Sequence, residues 1–218
     1  MTLVQRGRWV TVFALLLLGG IYVRALVYTP VEIHQGLAQK IFYVHVPSAW
    51  SAMLAMGLLG VASILFLIIK DMRYDRFAAA SAEVGTAFSL VMLTTGPLWA
   101  RPIWGAWWTW DARLTLTLMM FFMFLGYLVL RGAVTDPGLR ARYSAVLGIC
   151  GLVLLPFIHL SVYLFRTLHP MPIVLKPSAP SAPPAMVITL LSSFAVFTLL
   201  YIGFVMQRYA IGERTDDA

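Results

Sequence analysis

Charge is what this 218-residue chain has least of. Asp, Glu, Lys and Arg together make up 11% of it, against about 25% in a soluble domain. Cysteine is nearly absent as well. Cys150 stands alone in the apolar run 143–165, which excludes a disulfide scaffold and says little about redox compartment. No G-x-x-x-x-G-K-[ST] loop occurs, so any ATP dependence has to come from a partner. No Ser/His/Asp nucleophile set, internal repeat or soluble domain is recognisable. The formal charge of +7 comes from 16 basic and 9 acidic residues, yet the basic residues form no stripe of the kind that tracks phosphates. What is abundant is apolar: 61% of residues are hydrophobic and mean hydropathy is +0.84. These features predict an all-α, polytopic integral membrane protein with one membrane domain over 1–218.

A helix spans a bilayer with about 20 mostly apolar residues. Charge-free runs, extended where Arg24, Glu83 and Arg113 sit at span edges and can snorkel, predict six spans. These lie at about 9–28, 47–69, 77–98, 112–131, 143–165 and 185–207. The last begins after Pro177-Ser-Ala-Pro-Ser-Ala-Pro-Pro184, a stretch that reads as an extended loop. The first run has a basic flank in Arg6 and Arg8 but no clean Ala-x-Ala site, so it reads as a retained span.

Six spans place both termini on one side. With the termini inside, Arg6, Arg8, Lys70, Arg73, Arg76, Arg131, Arg140, Arg142, Arg208 and Arg214 are internal, leaving Arg24, Lys40, Arg101, Arg113, Arg166 and Lys176 outside. The positive-inside rule favours this orientation. It puts all four histidines and six of the seven tryptophans at the outer face.

The densest feature is the segment 99–115, with five tryptophans between Trp99 and Trp110. An interfacial aromatic belt accounts for one or two such residues per helix end and accounts poorly for five. Trp104, Trp107 and Trp108 are spaced i, i+3, i+4, so a short surface helix would align them as an apolar plate. Planar ligands stack on such plates. Asp111 reads equally as the N-cap of span four or as a ligand contact. Arg101 and Arg113 either snorkel to headgroups or pair with carboxylates of an anionic ligand.

His45 precedes Pro47, which suits the first turn of a helix, so His45 should sit just outside span two. His169 precedes Pro170 and should be extended. A lone histidine is usually structural, but two held in stiff stretches beside a tryptophan plate point towards ligation. His159 lies within span five, three residues after Pro156. It reads first as a structural group bonding a carbonyl freed by the kink, and second as a reserve ligand. His34 sits in a polar loop, and Glu83 reads as reaching inner water or pairing with Arg76. Haem fits this inventory: it needs axial imidazoles, an apolar wall and cations for its propionates, and Lys40, Arg101 and Arg113 are candidate cations.

Trp104-Gly-Ala-Trp107-Trp108-Thr-Trp110-Asp111-Ala-Arg113-Leu-Thr closely resembles the WWD signature of haem-handling membrane proteins in cytochrome c biogenesis. With the short chain, six spans, His45-Val-Pro47 and Thr-Leu-His169, the whole resembles the CcmC-type family. The resemblance implies a non-enzymatic haem chaperone of the bacterial inner membrane, with both termini cytoplasmic and haem held at the periplasmic face. It implies haem b, bound non-covalently, with His45 and His169 as axial ligands and Trp104, Trp107, Trp108 and Trp110 as the wall. No C-x-x-C-H occurs for covalent attachment. The implied partners are the haem carrier CcmE, the ABC subunits CcmA and CcmB, and the small protein CcmD. Position 40 holds Lys where the family often has Arg, and the 177–184 stretch is no family hallmark.

Two other classes compete. A b-type electron-transfer protein needs paired intramembrane histidines, and only His159 qualifies. A non-catalytic permease subunit needs polar or broken helices at the midplane, for which Glu83 and His159 make a thin case.

Overall fold

The computed structural model describes residues 1–165, 167–174 and 176–216. Arg166 and the side chain of Arg214, both counted among the cations above, lie outside the described residues. The fold is all-helical: α1 (Leu3–Val23), α2 (Phe42–Ile69), α3 (Met72–Trp104), α4 (Ala112–Ala133), α5 (Pro137–Leu164) and α6 (Pro184–Asp216). Among the described residues there is no strand, only an isolated bridge between Glu32 and Gly36. Among the described residues, six helices are long and apolar enough to cross a membrane.

The helices run beyond the apolar runs because polar residues cap and extend them. Asp71, Asp111 and Asp136 each cap a helix, accepting from the amides of Arg73, Leu114 and Leu139. Pro137 at the first position of α5 lacks an N–H that would go unpaired there anyway. Asp75 lies within the first turn of α3, buried, and takes both arms of Arg131 at 2.6 and 2.9 Å.

Helix α2 is the hub, packing against α3, α5 and α6, while α1 lies along α6. Oil-like surroundings offer no hydrophobic gain between helices, so close approach at small residues drives association. The contacts follow that rule. A Cβ on Gly60, Gly148 or Gly151 would come within 2.4, 2.4 or 2.3 Å of side chains from the facing helix of the α2–α5 pair. The α1–α6 seam is as tight, since a Cβ on Gly203 would lie 2.5 Å from Thr11 Oγ1. Gln207 Nε2 donates to that same hydroxyl at 2.9 Å.

Two edge residues depart from expectation. Arg24 does not snorkel; a π-helical turn at Arg24–Tyr28 turns its Nε onto Thr189 Oγ1 of α6 at 3.0 Å. Glu83 pairs with Arg208 of α6 rather than with Arg76, which instead faces Glu213 at 3.4 Å.

Candidate functional site

The tryptophan segment is split by one glycine. Helix α3 runs on through Trp99 and Trp104 and stops at Gly105, whose φ of +74° is left-handed and whose amide bonds the Arg101 carbonyl at 3.1 Å. A residue with a Cβ is strained there. The expected short surface helix aligning Trp104, Trp107 and Trp108 therefore does not form. Trp99 and Trp104 ride on α3, whereas Trp107, Trp108 and Trp110 follow in the irregular stretch before Asp111 starts α4.

His45 is also placed differently. A 3₁₀ turn at Leu37–Ile41 runs straight into α2, so His45 lies inside the helix and Pro47 more than a turn in. Pro47 leaves the Tyr43 carbonyl without its helical donor. Burial of Phe42 and Tyr43 with Ala25 and Leu190 holds the turn regardless. His45 thus faces α3: its Nδ1 lies 3.1 Å from Thr95 Oγ1, and its ring meets Trp99.

One cleft gathers the chemistry. His45 and Met53 of α2 and Met92, Gly96, Trp99 and Trp104 of α3 line it, together with Trp107, Trp108, Arg113 and, from the segment after α5, His169. The space is about 160 Å³, below the roughly 300–1,000 Å³ of pockets that enclose a whole ligand. Trp107, 56% exposed, forms its open side. Trp108 Nε1 is buried with no hydrogen-bond partner, a donor waiting for an acceptor.

His169 is half-buried. Its Nδ1 lies 3.0 Å from the Pro170 carbonyl, which can only accept, so Nδ1 carries the proton and Nε2 keeps its lone pair. Withdrawal from water pushes its pKa down to about 4, helped by the positive charge of Arg113. The imidazole is therefore neutral at ordinary pH, as a metal ligand must be. Arg113 gives one guanidinium N–H to the Ile158 carbonyl at 3.3 Å. Its remaining donors are those an anionic group would meet.

Other expected residues stand elsewhere. Lys40 is buried and donates to the carbonyls of Thr29 and Pro30 at 2.5 and 3.2 Å, so it staples the α1–α2 loop and lines no part of the cleft. Arg101 folds onto the Gly105 carbonyl at the end of its own helix. Asp111 gives one oxygen to the Leu114 amide at 3.0 Å and takes the Thr109 hydroxyl on the other at 3.2 Å, the capping role. Trp110 is 77% exposed and props Trp108 edge-on, with ring centroids 5.8 Å apart. His159 packs on Tyr163 outside the cleft lining. His34 stays in its loop, its amide on the Glu32 carboxylate at 2.9 Å.

Residues not singled out from sequence also matter. Trp99 walls the cleft and donates its Nε1 to Gln35 at 3.1 Å. Gly96 lets the imidazole in, since a Cβ there would stand 3.1 Å from His45 Cε1. The Gly96-Pro97 pair inside an apolar run was the available signal for such a close approach.

The family model described as heme exporter protein C matches residues 2–215. The chain is 40% identical to heme exporter protein C of Bradyrhizobium diazoefficiens, over 89% of this chain and 73% of that one. It is 36% identical to heme exporter protein C of Haemophilus influenzae, over 94% and 83% of the two chains. A putative cytochrome c biosynthesis ccmC-like mitochondrial protein of Arabidopsis thaliana is 36% identical over 82% of this chain and 67% of its own length. Six membrane-crossing helices, a histidine pair in a tryptophan-walled cleft and these matches lead to one conclusion: the chain belongs to the heme exporter protein C family, multi-pass membrane components that handle haem in cytochrome c maturation.

Proposed function

We propose that the cleft binds haem b non-covalently at the periplasmic face, with His45 and His169 as axial ligands, and presents it to the carrier CcmE. One observation carries this reading. Two histidines far apart in the chain line the same cleft, walled by Trp99, Trp104, Trp107 and Trp108. Among the described residues no three His, Cys, Asp or Glu gather as a bare metal ion would require. Two imidazoles are instead what an iron needs when a macrocycle already fills its equatorial positions.

The residues divide the work. Indole faces stack on the ring, Arg113 meets a propionate by charge-assisted bonds, and Trp108 Nε1 offers a further donor. The space is smaller than a porphyrin and Trp107 beside it is exposed, so haem held by these residues would be only partly enclosed, which suits transfer rather than storage. CcmA, CcmB and CcmD are the partners in this reading, the membrane is the bacterial inner membrane, and the termini are cytoplasmic, as the basic residues favour.

Haem titration of the detergent-purified protein tests it. Wild type should give a six-coordinate, low-spin spectrum; His45→Ala and His169→Ala should each lose it. Unchanged spectra and affinity in both variants would overturn the assignment.

A further inference from the structure

We infer that Thr95 is a positioning residue whose hydroxyl holds His45 as its Nδ1–H tautomer, leaving Nε2 as the nitrogen that can reach a metal. The inference rests on the haem reading above only for its purpose; the tautomer itself follows from hydrogen bonding within the chain.

A threonine hydroxyl has a single proton. In Thr95 that proton is committed: Oγ1 donates to the Val91 carbonyl one turn back at 2.6 Å. Towards His45 Nδ1, 3.1 Å away, the oxygen can therefore only accept. The ring proton must then sit on Nδ1, and Nε2 keeps its lone pair. His169 reaches the same state through a different acceptor, the Pro170 carbonyl at 3.0 Å. Two histidines on unrelated segments are thus set alike, each with Nε2 free.

The acceptors share a second property. Metal-bound histidines commonly donate their other N–H to a carboxylate or a carbonyl, and that partner raises ligand basicity and fixes ring orientation. Here a hydroxyl and a carbonyl do so, both uncharged. Such partners orient the imidazoles without the electron donation a carboxylate adds. Imidazoles held this way would bind iron firmly in direction and modestly in strength, as a site that must give its cargo away requires.

Geometry favours Thr95 as the controlling group. It lies on α3 opposite His45, and the adjacent Gly96 has no Cβ to keep the ring away.

The test uses full-length protein in detergent, ¹⁵N-labelled at histidine and free of haem. Wild-type His45, assigned by its loss in His45→Ala, should show a protonated Nδ1 and an unprotonated Nε2. Thr95→Val keeps the shape but removes the acceptor, and should yield a mixture of tautomers; Thr95→Ser should restore the wild-type pattern. With haem added, transfer to an excess of apomyoglobin should speed up about tenfold in Thr95→Val, the low end of effects at such partners, and return to the wild-type rate in Thr95→Ser. A protonated Nε2 in wild type would overturn the inference, as would a pattern unchanged in Thr95→Val. Failure of wild type to form the low-spin haem spectrum would overturn the haem reading alone, because the tautomer is read without haem.

Discussion

The imidazole of His45 meets Trp99 edge to face, with ring centroids 5.8 Å apart and planes at 66°. Trp99 is fixed in turn by Phe42, at 5.8 Å and 66°, and by the hydrogen bond from its Nε1 to Gln35. A candidate iron ligand and a cleft wall are thus one packed unit.

Removing that unit should loosen the site without unfolding the bundle. An aromatic pair of this kind is worth about 1 kcal/mol beyond burial, so Trp99→Ala should shorten haem retention about fivefold, measured by transfer to apomyoglobin. Trp99→Phe should keep most of the retention. Equal rates in both variants would remove Trp99 from the site.

Gly96 predicts a steric effect of opposite origin. An added methyl would stand 3.1 Å from His45 Cε1, so the ring must rotate away in Gly96→Ala. Forcing a side chain off its rotamer costs about 1 kcal/mol. The expected outcome is a haem spectrum shifted from low spin towards a low-spin and high-spin mixture, with expression and helicity unchanged.

The cations separate cleanly. Arg113→Gln should weaken haem binding more than tenfold, in line with the roughly 1.5–3 kcal/mol of a charge-assisted bond. Lys40→Met should leave the haem spectrum and affinity alone while lowering thermal resistance, because it releases the Thr29 and Pro30 carbonyls. If Lys40→Met weakened haem binding as much as Arg113→Gln, the division between them would be wrong.

The buried pair of Asp75 and Arg131 is a matter of stability alone. Arg131→Met would strand a carboxylate that is only 5% exposed, a change that costs about 3–5 kcal/mol. The double variant Asp75→Leu/Arg131→Met should recover most of that loss. Monodisperse protein remaining after a heat step, read by size exclusion, measures both.

The number of helices was legible because crossing a membrane demands a long apolar run, and a run is a local property. The helix ends were not. Asp71 and Asp75 lie between the second and third apolar runs, yet one caps α3 and the other is neutralised by Arg131 from α4. Glu83 illustrates the limit. Arg76 lies seven residues away, about 10 Å along the same helix, whereas Arg208 reaches it from α6. Partners across helices are set by packing, which spacing does not encode. The same holds at the cleft. The histidines and indoles announced themselves as unusual residues in an apolar chain. Lys40 had the right charge and neighbourhood but turned to two carbonyls. Gly105, whose left-handed backbone ends α3, broke the i, i+3, i+4 plate that local periodicity suggested.

That break at Gly105 has an optical consequence. It folds the indoles of Trp107 and Trp108 back towards Trp99 and Trp104, so four of the chain's seven tryptophans line one cleft and Trp110 touches it through Trp108. Most of the intrinsic ultraviolet emission of the molecule therefore originates beside the site. A haem settling there would darken nearly all of it by energy transfer, Trp50 included because it lies only five residues beyond His45 on α2, leaving chiefly the glow of Trp9 on α1. The protein carries its own fluorescent gauge of occupancy, and loading and release can be followed in real time without a label.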